Sequence, residues 1–142
     1  MEKIIKIDDK EVLLKANAMF PILYKQTFGE DILTVILPLI SEVLQNADDI
    51  FSEVQGDELS ITPSKLGDLV EGVYSLEMVD ILKIIWTTAK LGDKSIKPLE
   101  NWIEEFDEFP IFEIGFEAIK IIIPTLVSKK KLENIKSLLQ TK

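Results

Sequence analysis

The stretch Leu76-Glu77-Met78-Val79-Asp80-Ile81-Leu82-Lys83-Ile84-Ile85-Trp86-Thr87-Thr88-Ala89-Lys90-Leu91 decides the fold. Val79, Leu82, Ile85, Trp86 and Ala89 recur at helical spacing, with Ile81, Ile84 and Leu91 beside them. Apolar residues over so wide an arc need cover on more than one side, so this segment is expected to be the central core helix. Gly92 is placed to end it. Ser95 to Pro98 then turns the chain into a short amphipathic helix carrying Leu99, Trp102, Ile103 and Phe106.

Downstream, Asp107 to Pro110 makes a corner before a long apolar segment, Ile111 to Val127, which Pro124 is expected to interrupt. Lys129-Lys130-Lys131 follow, where positive charge suits a helix C-terminus, and a last amphipathic turn runs through Leu132, Ile135, Leu138 and Leu139.

Upstream, Lys3 to Ile7 and Glu11 to Lys15 alternate in the manner of two short strands, with Asp8-Asp9-Lys10 as the turn. Ile5, Ile7, Val12 and Leu14 would share one face, and a lone hairpin is only marginally stable, so it must pack on the helices. From Phe20 the period becomes helical through Tyr24, Thr27 and Phe28, with Pro21 in the first turn and Gly29 as the stop. Asp31 caps a second helix bearing Ile32, Val35, Ile36, Leu39, Ile40 and Val43; Pro38 is expected to bend it or split it in two. Residues Gln45 to Ser60 are acidic and weakly periodic and read as a loop or a short, poorly held helix. Thr62-Pro63 opens a further helix with Leu66, Leu69, Val70 and Val73 on one side. The expected fold is thus mainly α: one compact multi-helix domain over residues 1–142, with a β-hairpin at 1–16, a helical body at 17–142 and an acidic loop near 45–60.

Composition narrows the function. The 142 residues are 46% hydrophobic and 29% charged, with 25 acidic and 16 basic residues and a net charge of -9. Every basic residue is Lys; Arg, His and Cys are absent. No imidazole base, thiolate nucleophile or ordinary zinc site can be assembled, disulfides are excluded, and the bidentate guanidinium fork is missing. The acidic balance argues against nucleic acid. Met1 to Lys15 alternates apolar with charged residues and shows no secretory signal, and Ile32 to Ile40 and Ile119 to Val127 are far shorter than the ~20 residues of a membrane span. The cluster Glu104, Glu105, Asp107, Glu108 lacks the calcium-loop pattern and reads as a solvated face. No catalytic residue, cofactor or metal ligand is assigned, and a protein-binding role without enzymatic activity is expected. Trp86, Trp102 and Phe106 read as core aromatics, whereas Phe109 and Phe112 straddle a proline corner, where one ring is expected to face a partner.

Three segments carry a resemblance. Lys3-Ile4-Ile5-Lys6-Ile7-Asp8-Asp9-Lys10-Glu11-Val12, Tyr24-Lys25-Gln26-Thr27-Phe28-Gly29-Glu30-Asp31-Ile32, and Ala89-Lys90 followed by Leu99-Glu100-Asn101-Trp102-Ile103-Glu104-Glu105-Phe106 stand in an order and spacing similar to the tail assembly chaperones of long-tailed bacteriophages and their prophages. The resemblance implies a chaperone that coats the tape measure protein, keeps it soluble and helps recruit tail tube subunits. It implies work in the cytoplasm of the bacterial host and absence from the mature virion. Tyr24, Phe28, Gly29, Asp31, Trp102 and Phe106 are then motif residues with structural roles. A long helical rod with apolar stripes can be covered by helix-in-groove binding while net charge keeps the complex dissolved. The surface expected to do so comprises Phe109, Phe112, Leu132, Ile135, Leu138 and Leu139. Self-association is left open. The competing readings are a structural tail component and an acidic inhibitor or immunity-type protein masking a basic partner.

Overall fold

The computed structural model describes residues 1–45, 54–55, 58–59, 73–74 and 76–126, with side chains described for 1–39, 73–74 and 76–126. The expected helix opened by Thr62-Pro63 lies outside the described residues through Leu66, Leu69 and Val70, while its Val73 is described and buried; the Lys129–Lys131 run, the amphipathic turn with Leu132, Ile135, Leu138 and Leu139, and the side chains of Ile40 and Val43 also lie outside.

Strands β1 (Glu2–Ile7) and β2 (Lys10–Lys15) form an antiparallel hairpin in which Ile5 faces Val12 and Ile7 faces Lys10. Asp8 and Asp9 turn the chain with φ of 50° and 70°. Two successive positive φ values match the right-handed twist of the strands, and Asp tolerates them better than most residues. Ile7, Val12 and Leu14 are buried and Ile5 is half-buried on the inner face, while Ile4 on the outer face is exposed.

Helix α1 (Phe20–Phe28) carries Pro21 in its first turn, where the missing N–H costs nothing, and stops where Gly29 takes the left-handed conformation at φ 74°. Helix α2 (Ile32–Gln45) follows, with Asp31 Oδ1 accepting from the Leu33 amide at 2.9 Å. It runs unbroken through Pro38, so the expected split does not occur. A proline removes one backbone hydrogen bond, and Ile32, Ile36 and Leu39, all buried, anchor the helix on both sides of it.

Between Gln45 and Ser60 the loop-or-helix expectation is corrected at two points. Val54–Gln55 (β3) and Glu58–Leu59 (β4) pair antiparallel as a minimal ladder. Gly56-Asp57 between them is a hairpin signal that the surrounding carboxylates obscured.

Helix α3 (Met78–Gly92) is the central helix and packs against β2, α1 and a C-terminal helix, α5 (Ile111–Leu126). Its core face differs from the expected one: Ile81, Ile84, Ile85, Trp86, Ala89 and Leu91 are buried, Leu82 is half-buried and Val79 is exposed. Two threonines are buried with them. Thr87 Oγ1 donates to Lys83 O and Thr88 Oγ1 to Ile85 O, both at 2.7 Å, so neither hydroxyl needs water. Helix α4 (Leu99–Ile103) inserts Trp102 into the core, and α5 continues through Pro124 to Leu126 rather than breaking there.

Long-range polar contacts fix the hairpin on this body. Lys3 pairs with Glu117, which Lys120 also approaches at 3.1 Å, and the Asp107 amide donates to Asp8 Oδ2 at 3.0 Å. Trp86 Nε1 donates to Lys97 O at 2.7 Å, pinning the α3–α4 connection. The architecture is mainly α with an N-terminal hairpin.

Candidate partner-binding surface

Tyr24, Phe28 and Gly29 belong to α1 and its stop, and they are brought together with α3. Tyr24 is fully buried, its ring 5.1 Å from Phe28, and Phe28 in turn meets Trp86 edge-on at 5.5 Å. Lys83 lies over the Phe28 ring at 5.5 Å and pairs with Glu30. The motif residues therefore build the α1–α3 joint, with Asp31 capping the next helix. Trp102 and Phe106 lie far from this joint in sequence and make a separate cluster. Their rings are 5.3 Å apart, and Phe109 completes the group at 5.8 Å from Trp102 and 5.4 Å from Phe106.

Neither Phe109 nor Phe112 is an exposed ring. Both are half-buried, Phe109 in the triad above and Phe112 with its ring 4.3 Å from that of Tyr74 and tilted by 33° to it. The proline corner folds Phe109 back onto Trp102 instead of presenting it outward. Each ring keeps part of its surface exposed at this corner.

The exposed apolar surface lies elsewhere. Leu33 is 50% exposed and Leu37 61%, one turn apart on α2; Met78 and Val79, at the start of α3, are 51% and 56% exposed. Met19 and Ile22 add apolar area on and just before α1. Leu33 and Leu37 fall outside the core face of α2, so its buried stripe does not single them out. The signal was present: α2 is apolar nearly all round, more than one buried stripe requires.

Between α2 and α3 runs a cleft of about 430 Å³, lined by Glu30, Thr34, Val35, Pro38, Leu76, Glu77, Val79, Asp80 and Lys83. Pro38 has no amide hydrogen, so the Thr34 carbonyl lacks its helical donor on this side. Burial, together with the neighbouring Glu30 and Glu77 charges, pushes the Asp80 carboxyl above its ordinary range, against the opposing pull of Lys83 at 3.9 Å. Burial also raises the Tyr24 hydroxyl, helped by Glu30 and Asp80, and among the described residues Tyr24 Oη has no hydrogen-bond partner.

A second cleft of about 420 Å³ lies between β2 and the α3–α4 connection, walled by Val12, Leu13, Trp102 and Phe106 and rimmed by Lys10, Asp93 and Glu105. Lys10 closes over it, 5.0 Å from the Phe106 ring centre and donating to Glu105 O at 3.2 Å. Asp93 accepts from the Ser95 hydroxyl and amide, which hold its carboxyl below the usual range.

Among the described residues, no group of three or more Asp or Glu stands close enough to hold a metal ion. None of the described helices is long and apolar enough to cross a membrane. No family model, curated protein or solved structure matches this chain.

Proposed function

We propose that this protein is a non-enzymatic chaperone of phage tail assembly that binds the tape measure protein, keeps it soluble and helps bring tail tube subunits to it. The reading places it in the cytoplasm of the bacterial host and outside the mature virion. The observation that carries it is the apolar pair Leu33 and Leu37, exposed on successive turns of α2, with Met78 and Val79 exposed at the start of α3. A folded domain gains nothing by leaving large apolar side chains in water, whereas a helix-coating protein needs them. Net charge of -9 supports the same role, since it would keep a complex with an aggregation-prone rod dispersed. The three sequence segments similar to the tail assembly chaperones supply the identity of the partner.

The test is co-expression with a fragment of a tape measure protein encoded beside it. The reading expects the fragment to move from the pellet to the soluble fraction and to co-purify with this chain. A fragment that stays insoluble, or is soluble without the chain, contradicts it.

A second reading, an acidic inhibitor of a basic partner, is favoured by the exposed carboxylates Glu100, Glu104, Glu105, Asp107 and Glu108 beside the hairpin turn at Asp8 and Asp9. Exposed charges are screened over about 10 Å at 0.1 M salt, so binding of that kind collapses in moderate salt, whereas apolar burial survives it. A structural tail component, the third reading, would be found in finished virions.

A further inference from the structure

We propose that the outer edge of β1 pairs with the same edge of a second copy of this chain, joining the two hairpins into one continuous antiparallel sheet. The inference does not depend on the tape measure reading above; it rests on the hairpin alone.

The backbone register decides which groups face outward. The Met1 amino group donates to Ala16 O at 2.9 Å and the Ala16 amide to Met1 O at 2.8 Å, and the ladder continues through Lys3 with Leu14, Ile5 with Val12 and Ile7 with Lys10. Bonded pairs alternate with non-bonded ones along an antiparallel ladder, so the N–H and C=O groups of Glu2, Ile4 and Lys6 point away from β2. The matching edge of β2 is closed, because the Leu13 carbonyl abuts Gly92 of α3. Among the described residues no strand pairs with the outer edge of β1, where Glu2, Ile4 and Lys6 are exposed, Ile4 by 64%. An open edge with a large apolar side chain at its middle is a template for another strand.

The side chains select which strand. A two-fold axis through Ile4 sets Glu2 opposite Lys6 of the second copy, Ile4 opposite its counterpart, and Lys6 opposite Glu2 of the second copy. These are the residues whose backbone groups face outward, so each pair exchanges both of its hydrogen bonds. On the outer face, one row of the joined sheet then reads Lys15, Glu2, and Lys6 and Glu11 of the second copy, with the sign alternating at every step. The first link is already made within one copy, where Lys15 Nζ lies 3.9 Å from Glu2. The middle row is apolar throughout, Leu13 and Ile4 meeting Ile4 and Leu13 of the second copy. Opposite charges and apolar side chains facing each other across strands both favour pairing. A lysine ordinarily guards an edge, but this axis brings Lys6 onto a carboxylate. Moving the axis to Lys3 or Ile5 sets Ile4 against a charge, so the strand specifies one register.

A dimer held by one short strand pair belongs to the small-interface class and forms and dissolves with concentration. The experiment is sedimentation equilibrium of the full chain from about 1 μM to about 0.3 mM, a range that spans weak association, with amide hydrogen exchange at both ends. The mass is expected to rise from the 16.1 kDa of one chain towards twice that, and the Ile4 amide to become protected as it does. Lys6→Glu sets carboxylates opposite each other and should weaken association by about tenfold or more; adding Glu2→Lys restores opposite signs and should recover most of that loss. Ile4→Lys, at the axis, should leave only monomer, whereas Ile22→Lys, on the exposed side of α1, should leave the dimer unchanged. Thermal melts check that each variant folds, and should Ile4→Lys unfold the hairpin, the charge swap decides alone. A wild-type mass that stays at one chain overturns the proposal. So does a dimer whose Ile4 amide exchanges as fast as in the monomer, a Lys6→Glu loss that Glu2→Lys does not relieve, or an equal loss in Ile22→Lys.

Discussion

The α-carbon of Gly92 lies so close to the carbonyl oxygen of Leu13 that a Cβ there would overlap it. Helix α3 thus closes on strand β2 through bare backbone, and the obstacle is main chain rather than a yielding side chain. Gly92→Ala is expected to destabilise the protein by about 2–3 kcal/mol, the upper range for overpacking, read as a lower urea midpoint. A midpoint within error of wild type would mean that the hairpin can shift off α3.

Glu117 joins β1 to α5 through Lys3 and also meets Lys120. Burial raises its carboxyl, but the hydrogen bonds from Lys3 and Lys120 outweigh burial and hold it below its ordinary value. The folded state therefore prefers the ionised form. That stability is fully present above the unfolded-state pKa and is lost as pH falls through the lower, folded-state value. Glu117→Gln should cost about 1 kcal/mol near neutral pH and nothing in strong acid. Urea titrations of both proteins at pH 7 and pH 3 would show the gap narrowing; a gap that widens in acid contradicts the assignment.

At Asp80 the sign is opposite. Burial and the Glu30 and Glu77 charges raise its carboxyl, so ionisation weakens the folded state above the folded-state pKa, and the penalty disappears below the unfolded value. Asp80→Asn is expected to stabilise by roughly 0.5 kcal/mol at neutral pH, the scale of a modest single substitution, with the gain fading in acid. Thermal melts across that range provide the check, and a destabilised variant would show that Lys83 depends on Asp80 more than the 3.9 Å separation suggests.

Tyr24 offers a separation of structure from chemistry. Its ring is core, while its hydroxyl has no partner among the described residues. Tyr24→Phe should be neutral or stabilising by about 0.5–1 kcal/mol, whereas Tyr24→Ala should cost about 3–5 kcal/mol by opening a cavity. Equal losses in the two melts would show that the hydroxyl is bonded after all.

Much of the fold was legible because its punctuation is local. Asp8-Asp9, Pro21, Gly29 and Asp31 each act through their own backbone, and the turn, start, stop and cap stand where those residues put them. What depended on neighbours was not legible. Thr87 and Thr88 look polar in sequence yet are buried, because each satisfies its hydroxyl within α3. Val79 shares the period of the core face yet lies in the first turn, at the cleft, and periodicity says nothing of how far a neighbouring helix reaches. Pro38 and Pro124 signal breaks that packing on either side overrides. Of the motif residues, Tyr24, Phe28 and Trp102 pack among the rings of the core and Asp31 caps α2. Phe109 and Phe112 are partly covered, because the chain at the proline corner brings them against Trp102 and Tyr74, which sequence spacing does not show.

The proposed binding of a tape measure protein rests on the exposed apolar residues of α2. Leu33 and Leu37 are exposed at half or more, so the double variant Leu33→Asp, Leu37→Asp should melt within a few degrees of wild type, as surface changes of about 0.5 kcal/mol do. The decisive measurement is the amount of tape measure fragment that co-purifies with this variant in 0.3 M salt, about where surface charge is well screened. Capture is expected to be lost while the melt is retained; capture at the wild-type level by the folded variant would contradict the proposed role.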